Sequence, residues 1–312
     1  MQFLEHKPTV VIVVVARMGS TRVPGKALID ICGRPAISHV LQIAKNIGGA
    51  DAVCLATSDQ AQDDPLAEFA RREEIYCYRG EAEQVLDRLY SAAKAMNAEV
   101  IIEIGGDCPL LDPALVSDAL KVFFASAADY VSNYDPPTFP EGMDINIISF
   151  AALEMIWKRA IAPSQRIHPF SYITFHPDEF LSDTFQMSPD LSNHHWSLDF
   201  PEDVELIQMA YERLWRGNCP IRLADLTTLL DIDEEFARKD MKLKRPVVLH
   251  AYWNSPRMIM DMNNDIATLA ERAYEHFQNG KNVEAGKCYR EVIKIAECLR
   301  GAALPDGKVR TK

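Results

Sequence analysis

The stretch Val11-Ile12-Val13-Val14-Val15-Ala16-Arg17-Met18-Gly19-Ser20-Thr21-Arg22-Val23-Pro24-Gly25-Lys26 decides the fold. Its five leading residues are apolar without interruption, which is the pattern of a central strand covered on both faces. Three cations follow within ten residues: Arg17, Arg22 and Lys26. Gly19, Ser20 and Gly25 lie between them and let the backbone turn and bring its N–H groups close to a ligand. Cations and backbone donors at the carboxyl end of a parallel strand make a phosphate cradle. The chain as a whole carries a formal charge of −12, so this basic cluster opposes the global field. A merely solvated basic loop would not require the Gly/Pro punctuation. The loop is neither a Walker A sequence nor a G-x-G-x-x-G turn.

Outward from that strand, helix and strand signals alternate. Helices are expected over 36–47, 65–72, 85–96 and 113–124, the last opened by Asp112 as its N-cap. Strands are expected over 52–56, 75–78 and 100–104. Repeated β-α-β units require a mostly parallel sheet with helices on both faces, and such sheets bind ligands at the strand carboxyl ends. The opening loop and Gly105-Gly106-Asp107-Cys108-Pro109 both fall there. Asp107 is then a carboxylate held at the ligand face. On its own it is equally an Asx turn or a helix cap. A magnesium ion wants one or two carboxylates together with phosphates and waters, so a second acidic group is needed.

Composition narrows the class. With 312 residues, 48% apolar and 25% charged, the chain has room for one large domain plus an appendage, or for two domains. The acidic balance speaks against nucleic acid as a partner. No apolar run reaches the roughly 18 residues of a membrane span, and the first residues lack the apolar core of a signal peptide. The seven cysteines form no C-x-x-C pair and read as free thiols of a reducing, cytoplasmic compartment.

The spacing R-x-x-S-x-R-x-P-x-K, from Arg17 to Lys26, resembles the signature loop of the CTP-dependent sugar nucleotidyltransferases. These include the synthetases of CMP-3-deoxy-manno-octulosonate and CMP-sialic acid, and the likeness is greatest to the SpsF-like branch. It covers about residues 8 to 240. It implies an α/β, Rossmann-like fold of the nucleotide-diphospho-sugar transferase (GT-A-like) kind, with transfer of CMP from CTP to an acceptor hydroxyl and release of pyrophosphate. It further implies Mg²⁺ held by Asp107 and by Asp199 of Trp196-Ser197-Leu198-Asp199-Phe200-Pro201-Glu202-Asp203. Pro201, Glu202 and Asp203 are also an ordinary helix start. Ala16, Arg17, Gly19, Ser20, Arg22 and Lys26 would bind the triphosphate, and the three cations would stabilise the charge that builds on it.

Around the nucleotide, the resemblance points to Thr57 and Ser58 after the second strand and to the Arg79–Arg88 segment, with Gln84 where the family has an acid. There Asp87 and Arg88 either flank the nucleotide or form an ion pair that supports the sheet. Acceptor contacts would come from Asn133, Asp144, Asn146, Arg166 and His168. Residues 139–148 alternate as a strand facing a cleft. Asn146 replaces the common Glu of P-x-G-x-D-x-E, and Ile167 replaces the Glu of R-E-H. A two-His metal site at His194-His195 is not expected, because neighbours on a strand point to opposite faces.

After about residue 245 the likeness stops. The expected division is a nucleotidyltransferase domain over 1–245 and a helical extension with its tail over 246–312. Residues 266–278 and 283–299 read as a hairpin about Asn279-Gly280-Lys281. Ala270, Ala273, Tyr274, Phe277, Gly280, Ala285, Cys288, Tyr289 and Ile293 resemble one tetratricopeptide unit. A single hairpin cannot bury its own face. It must pack on the catalytic domain, on its copy in a homodimer, or on another protein. Two other functions fit less of the sequence. A GT-A glycosyltransferase would carry D-x-D, which Asp107-Cys108-Pro109 is not, and a non-catalytic adaptor would not need the cations and carboxylates intact.

Overall fold

The computed structural model describes residues 7–217, 219–243 and 256–302. Strand β1 (Val10–Val15) lies in the interior of a seven-stranded sheet. On one side it pairs in parallel with β4 (Ala52–Ser58), which pairs in parallel with β5 (Tyr76–Gly80). On the other side it pairs in parallel with β6 (Val100–Gly105). Beyond β6 come β8 (Asn146–Ser149), antiparallel, then β7 (Tyr130–Ser132) and β9 (Ser182–Thr184). The two-residue strands β2 (Asp30–Ile31) and β3 (Arg34–Pro35) form a separate ribbon.

Both faces of β1 are covered, as its uninterrupted apolar run requires. Val10, Ile12 and Val14 point into a core shared with α1 (Ala36–Lys45), α2 (Asp64–Arg72), α4 (Pro113–Ser126), α8 (Pro201–Leu214), α9 (Leu223–Ile232) and α10 (Glu234–Leu243). Val11 and Val13 point the other way, against α3 (Val85–Ala95), α5 (Phe150–Arg159) and α7 (Ser171–Phe175). The period-2 alternation of a strand thus feeds two separate apolar layers. Asp112 caps α4 as expected, its side chain accepting from the Ala114 N–H at 2.9 Å.

Because the chain adds strands to one side of β1 and then jumps to β6 on the other, the order reverses between β1 and β6. That is the topological switch point, where open α/β sheets leave a crevice at the strand carboxyl ends. The loops after β1 and β6 flank it.

Three expectations need correction. Strand β4 runs two residues further than expected, because Thr57 and Ser58 continue to pair with Arg79 and Gly80. The strand expected over 139–148 exists only from Asn146 onward. Gly142 stands at φ +91°, and a Cβ there would meet the Trp196–Ser197 backbone at 2.6 Å. Residues 140–143 are therefore drawn off the sheet and paired with the 194–196 segment, through Glu141 N–H to His194 O and Trp196 N–H to Glu141 O. Finally, Gly301 and Ala302, beyond the expected end of the hairpin at 299, belong to its second helix.

The C-terminal hairpin is present as α11 (Pro256–Gln278) and α12 (Asn282–Ala302). Gly280 turns it at φ +68°, a left-handed conformation that glycine adopts without strain. The hairpin packs on the catalytic body. Met262, Leu269, Ala273, Cys288 and Ile295 bury against Ala162 and Phe175. The division expected at 245/246 lies outside the described residues. No helix among the described residues is long and apolar enough to cross a membrane.

Candidate active site

Three segments meet at the switch point. The loop after β1 folds on itself, with Met18 O accepting from the N–H groups of Ser20 (2.9 Å) and Gly25 (3.3 Å). The Ser20 hydroxyl accepts from Val23 N–H at 3.2 Å. The loop after β6 lies directly beside it: Gly106 N–H donates to Val15 O at 2.9 Å. A Cβ on Gly106 would sit 2.5 Å from that of Ala16, so only glycine permits this approach. The segment before α8 joins them through Leu198 N–H to Asp107 O, 2.8 Å.

This convergence brings the expected cations and carboxylates together. Lys26 Nζ lies 2.5 Å from Asp107 Oδ2 and 3.2 Å from Asp199 Oδ1. Arg22 Nη2 reaches the same Asp199 oxygen at 3.2 Å, and its guanidinium rests 4.5 Å over the Phe200 ring. Arg17 turns outward to Glu83 at 2.7 Å. Burial works to lower the Lys26 pKa, but Asp107 and Asp199 outweigh it and leave it raised. For Asp199, burial pushes upward and is outweighed by Lys26, the Ser197 hydroxyl and Arg22, so its carboxyl is held below the ordinary range.

Asp199 is itself held from behind. Its Oδ2 accepts from Ser197 Oγ at 2.7 Å. Its backbone N–H donates to Asp203, which also takes the Phe200 N–H and so caps α8. His195 completes the support: Nδ1 meets Glu141 at 3.2 Å, and Nε2 meets Ser197 Oγ at 3.2 Å and Asp203 at 3.4 Å. Burial lowers the His195 pKa, yet the bonds from Asp203 and Glu141 prevail and raise it to about 9. Glu141, His195 and Asp199 lie close enough to hold a metal ion. Both nitrogens of His195 already have partners, however, so the ring serves better as a brace than as a ligand. His194 turns elsewhere, to Asp240 at 2.8 Å, as neighbours on an extended chain must.

The expected nucleotide-side residues separate into loop supports and rim. Thr57 and Ser58 are buried in β4. Ser58 donates its hydroxyl to Asp63, whose other oxygen takes the Met18 N–H at 2.6 Å. Among the described residues the Thr57 hydroxyl has no hydrogen-bond partner. Arg79 donates to Ser58 O (2.9 Å) and Gln60 O (3.0 Å) and pairs with Asp64. Asp87 and Arg88 do not pair with each other. Arg88 is buried and donates to the carbonyls of Glu81 and Ala82, bracing the β5–α3 turn. Asp87 accepts from the Trp157 indole and from Arg166, 3.3 Å away.

On the acceptor side, Asn133 is spent on holding the backbone, donating to Met143 O (2.8 Å) and accepting from Ile145 N–H (2.9 Å). Asn146 sits in a buried polar knot, accepting from Tyr130 Oη and donating to Glu103 and Tyr134 Oη. Burial pushes the Glu103 carboxyl up to about 7. Burial, then repulsion from Glu141 and Asp107, drives that of Asp144 well above its usual range. Arg166 lies on the short helix α6 (Pro163–Ile167), and the His168 N–H closes it on Ser164 O at 2.7 Å.

Sequence reading missed Asp63, Glu103, Glu141 and His195. Glu103 carried a signal, since a carboxylate inside the apolar run 100–104 must find a partner. Asp63 carried none beyond its place in a turn.

A divalent cation fits between Asp107 and Asp199. The donors are hard carboxylate oxygens of the type magnesium takes, and the Lys26 ammonium already stands there as a monovalent cation.

Cations facing paired carboxylates thus meet at the switch point of a mostly parallel sheet. A family model described as cytidylyltransferase matches residues 11–224. The spore coat polysaccharide biosynthesis protein SpsF of Bacillus subtilis is 29% identical over 240 residues, spanning 73% of this chain and 96% of that protein. A 3-deoxy-manno-octulosonate cytidylyltransferase of Trichlorobacter lovleyi is 33% identical over 117 residues, 38% of this chain and 46% of that one. A solved cytidylyltransferase from Leptospira borgpetersenii superposes with a TM-score of 0.70 at 26% identity, covering 73% of this chain and 96% of that one. The chain belongs to the SpsF-like cytidylyltransferase family. Membership makes it an enzyme of CTP-using nucleotidyl transfer.

Proposed function

We propose that this enzyme transfers the cytidylyl group of CTP, with Mg²⁺, to a hydroxyl of a small sugar acid and releases pyrophosphate. The observation that carries the reading is the Lys26 ammonium between Asp107 and Asp199, on loops that flank the switch point. CTP replaces these internal partners with its phosphates. An acceptor oxygen forms a bond to the α-phosphorus, the bond to the β-phosphate bridge oxygen breaks, and pyrophosphate departs. Arg17, Arg22 and Lys26 bind the departing charge, with backbone N–H groups between Gly19 and Arg22. Asp107 and Asp199 hold the metal, which when bound neutralises α-phosphoryl charge and lowers the pKa of the acceptor hydroxyl. Positioning and electrostatics then carry most of the barrier reduction.

The sugar-acid acceptor is inferred from the 3-deoxy-manno-octulosonate cytidylyltransferase among the relatives, and from a cation, Arg166, on the acceptor side. In the same reading residues 1–245 are the catalytic unit of a cytoplasmic enzyme, and residues 246–312 are its extension.

The test is a matrix of four nucleoside triphosphates against a panel of sugar acids, with pyrophosphate as the readout, in Mg²⁺ and in EDTA. Turnover is expected with CTP and a sugar acid, and only with the metal. Faster turnover with UTP or GTP, or full activity in EDTA, overturns the reading. Sugar transfer without pyrophosphate would make it a glycosyltransferase, and failure to bind any triphosphate would make it an adaptor.

A further inference from the structure

The family match ends at residue 224, whereas the hairpin begins at Pro256, so cytidylyl transfer as such does not account for it. Its seam with the catalytic body is mostly apolar but encloses two carboxylates. Asp265, 2% exposed, accepts from the Ser164 N–H at 3.1 Å and from the Ser164 hydroxyl. Glu291, 7% exposed, accepts from Gln165 Nε2 at 2.7 Å and meets His176 Nε2 at 3.2 Å. Arg272 adds a bond to Ile161 O at 3.2 Å.

Burying two carboxylates is costly, and apolar residues of the same volume would anchor a hairpin at least as well. What carboxylates add is direction. They grip Ser164 and Gln165, the two residues immediately before Arg166. Helix α6 is five residues long, too short to hold its own shape. It is held on one side by the hairpin. On the other side Arg166 meets Asp87, which the Trp157 indole fixes in turn.

We propose that Asp265 and Glu291 are positioning residues for Arg166, so that the C-terminal hairpin sets the acceptor-side guanidinium rather than the phosphate loop after β1. The acceptor role of Arg166 rests on the function proposed above; the positioning claim rests on the seam itself.

The test uses the full chain and the variants Asp265→Ala, Glu291→Ala and Asp265→Asn. Amide hydrogen exchange is followed over residues 163–175, CTP affinity by titration, and KM for both substrates with 3-deoxy-manno-octulosonate as the probe acceptor. The alanine variants are expected to lose protection over 163–168 at least tenfold and to raise acceptor KM about tenfold. CTP affinity should stay within twofold, and Asp265→Asn should restore most of both. Should an alanine variant fail to fold, Ser164→Ala removes the same hydroxyl bond from the body side, with an expected threefold rise in acceptor KM. Unchanged protection over 163–168 overturns the proposal. So does lost protection with acceptor KM unchanged, because the carboxylates would then be structural only. If the probe acceptor is not turned over at all, the proposed acceptor class falls, and the exchange measurement alone decides whether the hairpin positions α6.

Discussion

The loop after β1 and the hairpin seam both gather charged side chains, and they treat them in opposite ways. In the loop, Arg22 and Lys26 face carboxylates across a crevice; the Arg22 side chain is 50% exposed and that of Lys26 16%, so the open pair is the one made by Arg22. In the seam, Asp265 and Glu291 are sealed and bonded to neutral donors and to His176. An exposed ion pair is worth little and exchanges partners readily, whereas a buried, hydrogen-bonded charge is lost only at high cost. The first arrangement suits a site that must release its internal partners to accept a polyphosphate. The second suits a fixed support. Substitution in the loop should therefore be read out in turnover, and substitution in the seam in local order.

The largest effect expected is in the loop. Lys26→Ala and Arg22→Ala should each lower kcat/KM by about 2.7–4 kcal/mol, a hundred- to a thousandfold, as for lost contacts to a transition-state oxyanion. Urea midpoints should move much less, because neither side chain belongs to the apolar core. Wild-type rates in either variant would erase the contrast between the two regions.

Much of this contrast could be anticipated on one side only. Val11–Val15 announces a central strand, and the cations that follow it sit within ten residues, so one local segment carries both fold and site. Asp107 and Asp199 needed the family resemblance to be paired, because 92 residues separate them in the sequence. That Lys26 would bridge them is a property of three loops meeting and has no local signature. Residues 139–145 alternate convincingly, yet Gly142 and its contact with Trp196 divert them from the sheet. The bond between Ser164 and Asp265 spans 101 residues, and neither residue stands out in its own helix. Periodicity reports which face is buried, but not which polar group waits on the opposite side.

A middle case sharpens the comparison. Glu103 is half-buried, in the polar knot around Asn146, and burial raises its pKa to about 7. Its folded value lies above the unfolded one near 4.3. The native state thus binds the extra proton between those values, and stability should fall as pH rises from about 4.5 through 7 and then level off. The cost at pH 8 is at most about 4 kcal/mol at roughly 1.36 kcal/mol per pH unit. Glu103→Gln keeps an acceptor for Asn146 and removes the charge. Comparing urea midpoints of the two proteins at pH 5 and pH 8, the variant should gain on the wild type only at pH 8. An advantage that is the same at both values would mean that Glu103 ionises normally in the fold.

The smallest effect tests the loop's side of the contrast most directly. Arg17 is held by Glu83 at 2.7 Å, and both side chains are well exposed. A pair of this kind contributes about 0–1 kcal/mol. Glu83→Gln should therefore leave the urea midpoint nearly unchanged. If Glu83 is a placeholder that phosphate displaces, its removal should also leave CTP affinity unchanged or tighten it by up to a few fold, since Arg17 no longer has to give up a partner. Titrating CTP into both proteins at low ionic strength, where exposed charges are least screened, gives the answer. Weaker binding in the variant would mean that Glu83 orients Arg17 for the nucleotide, making this pair a fixed support like those of the seam.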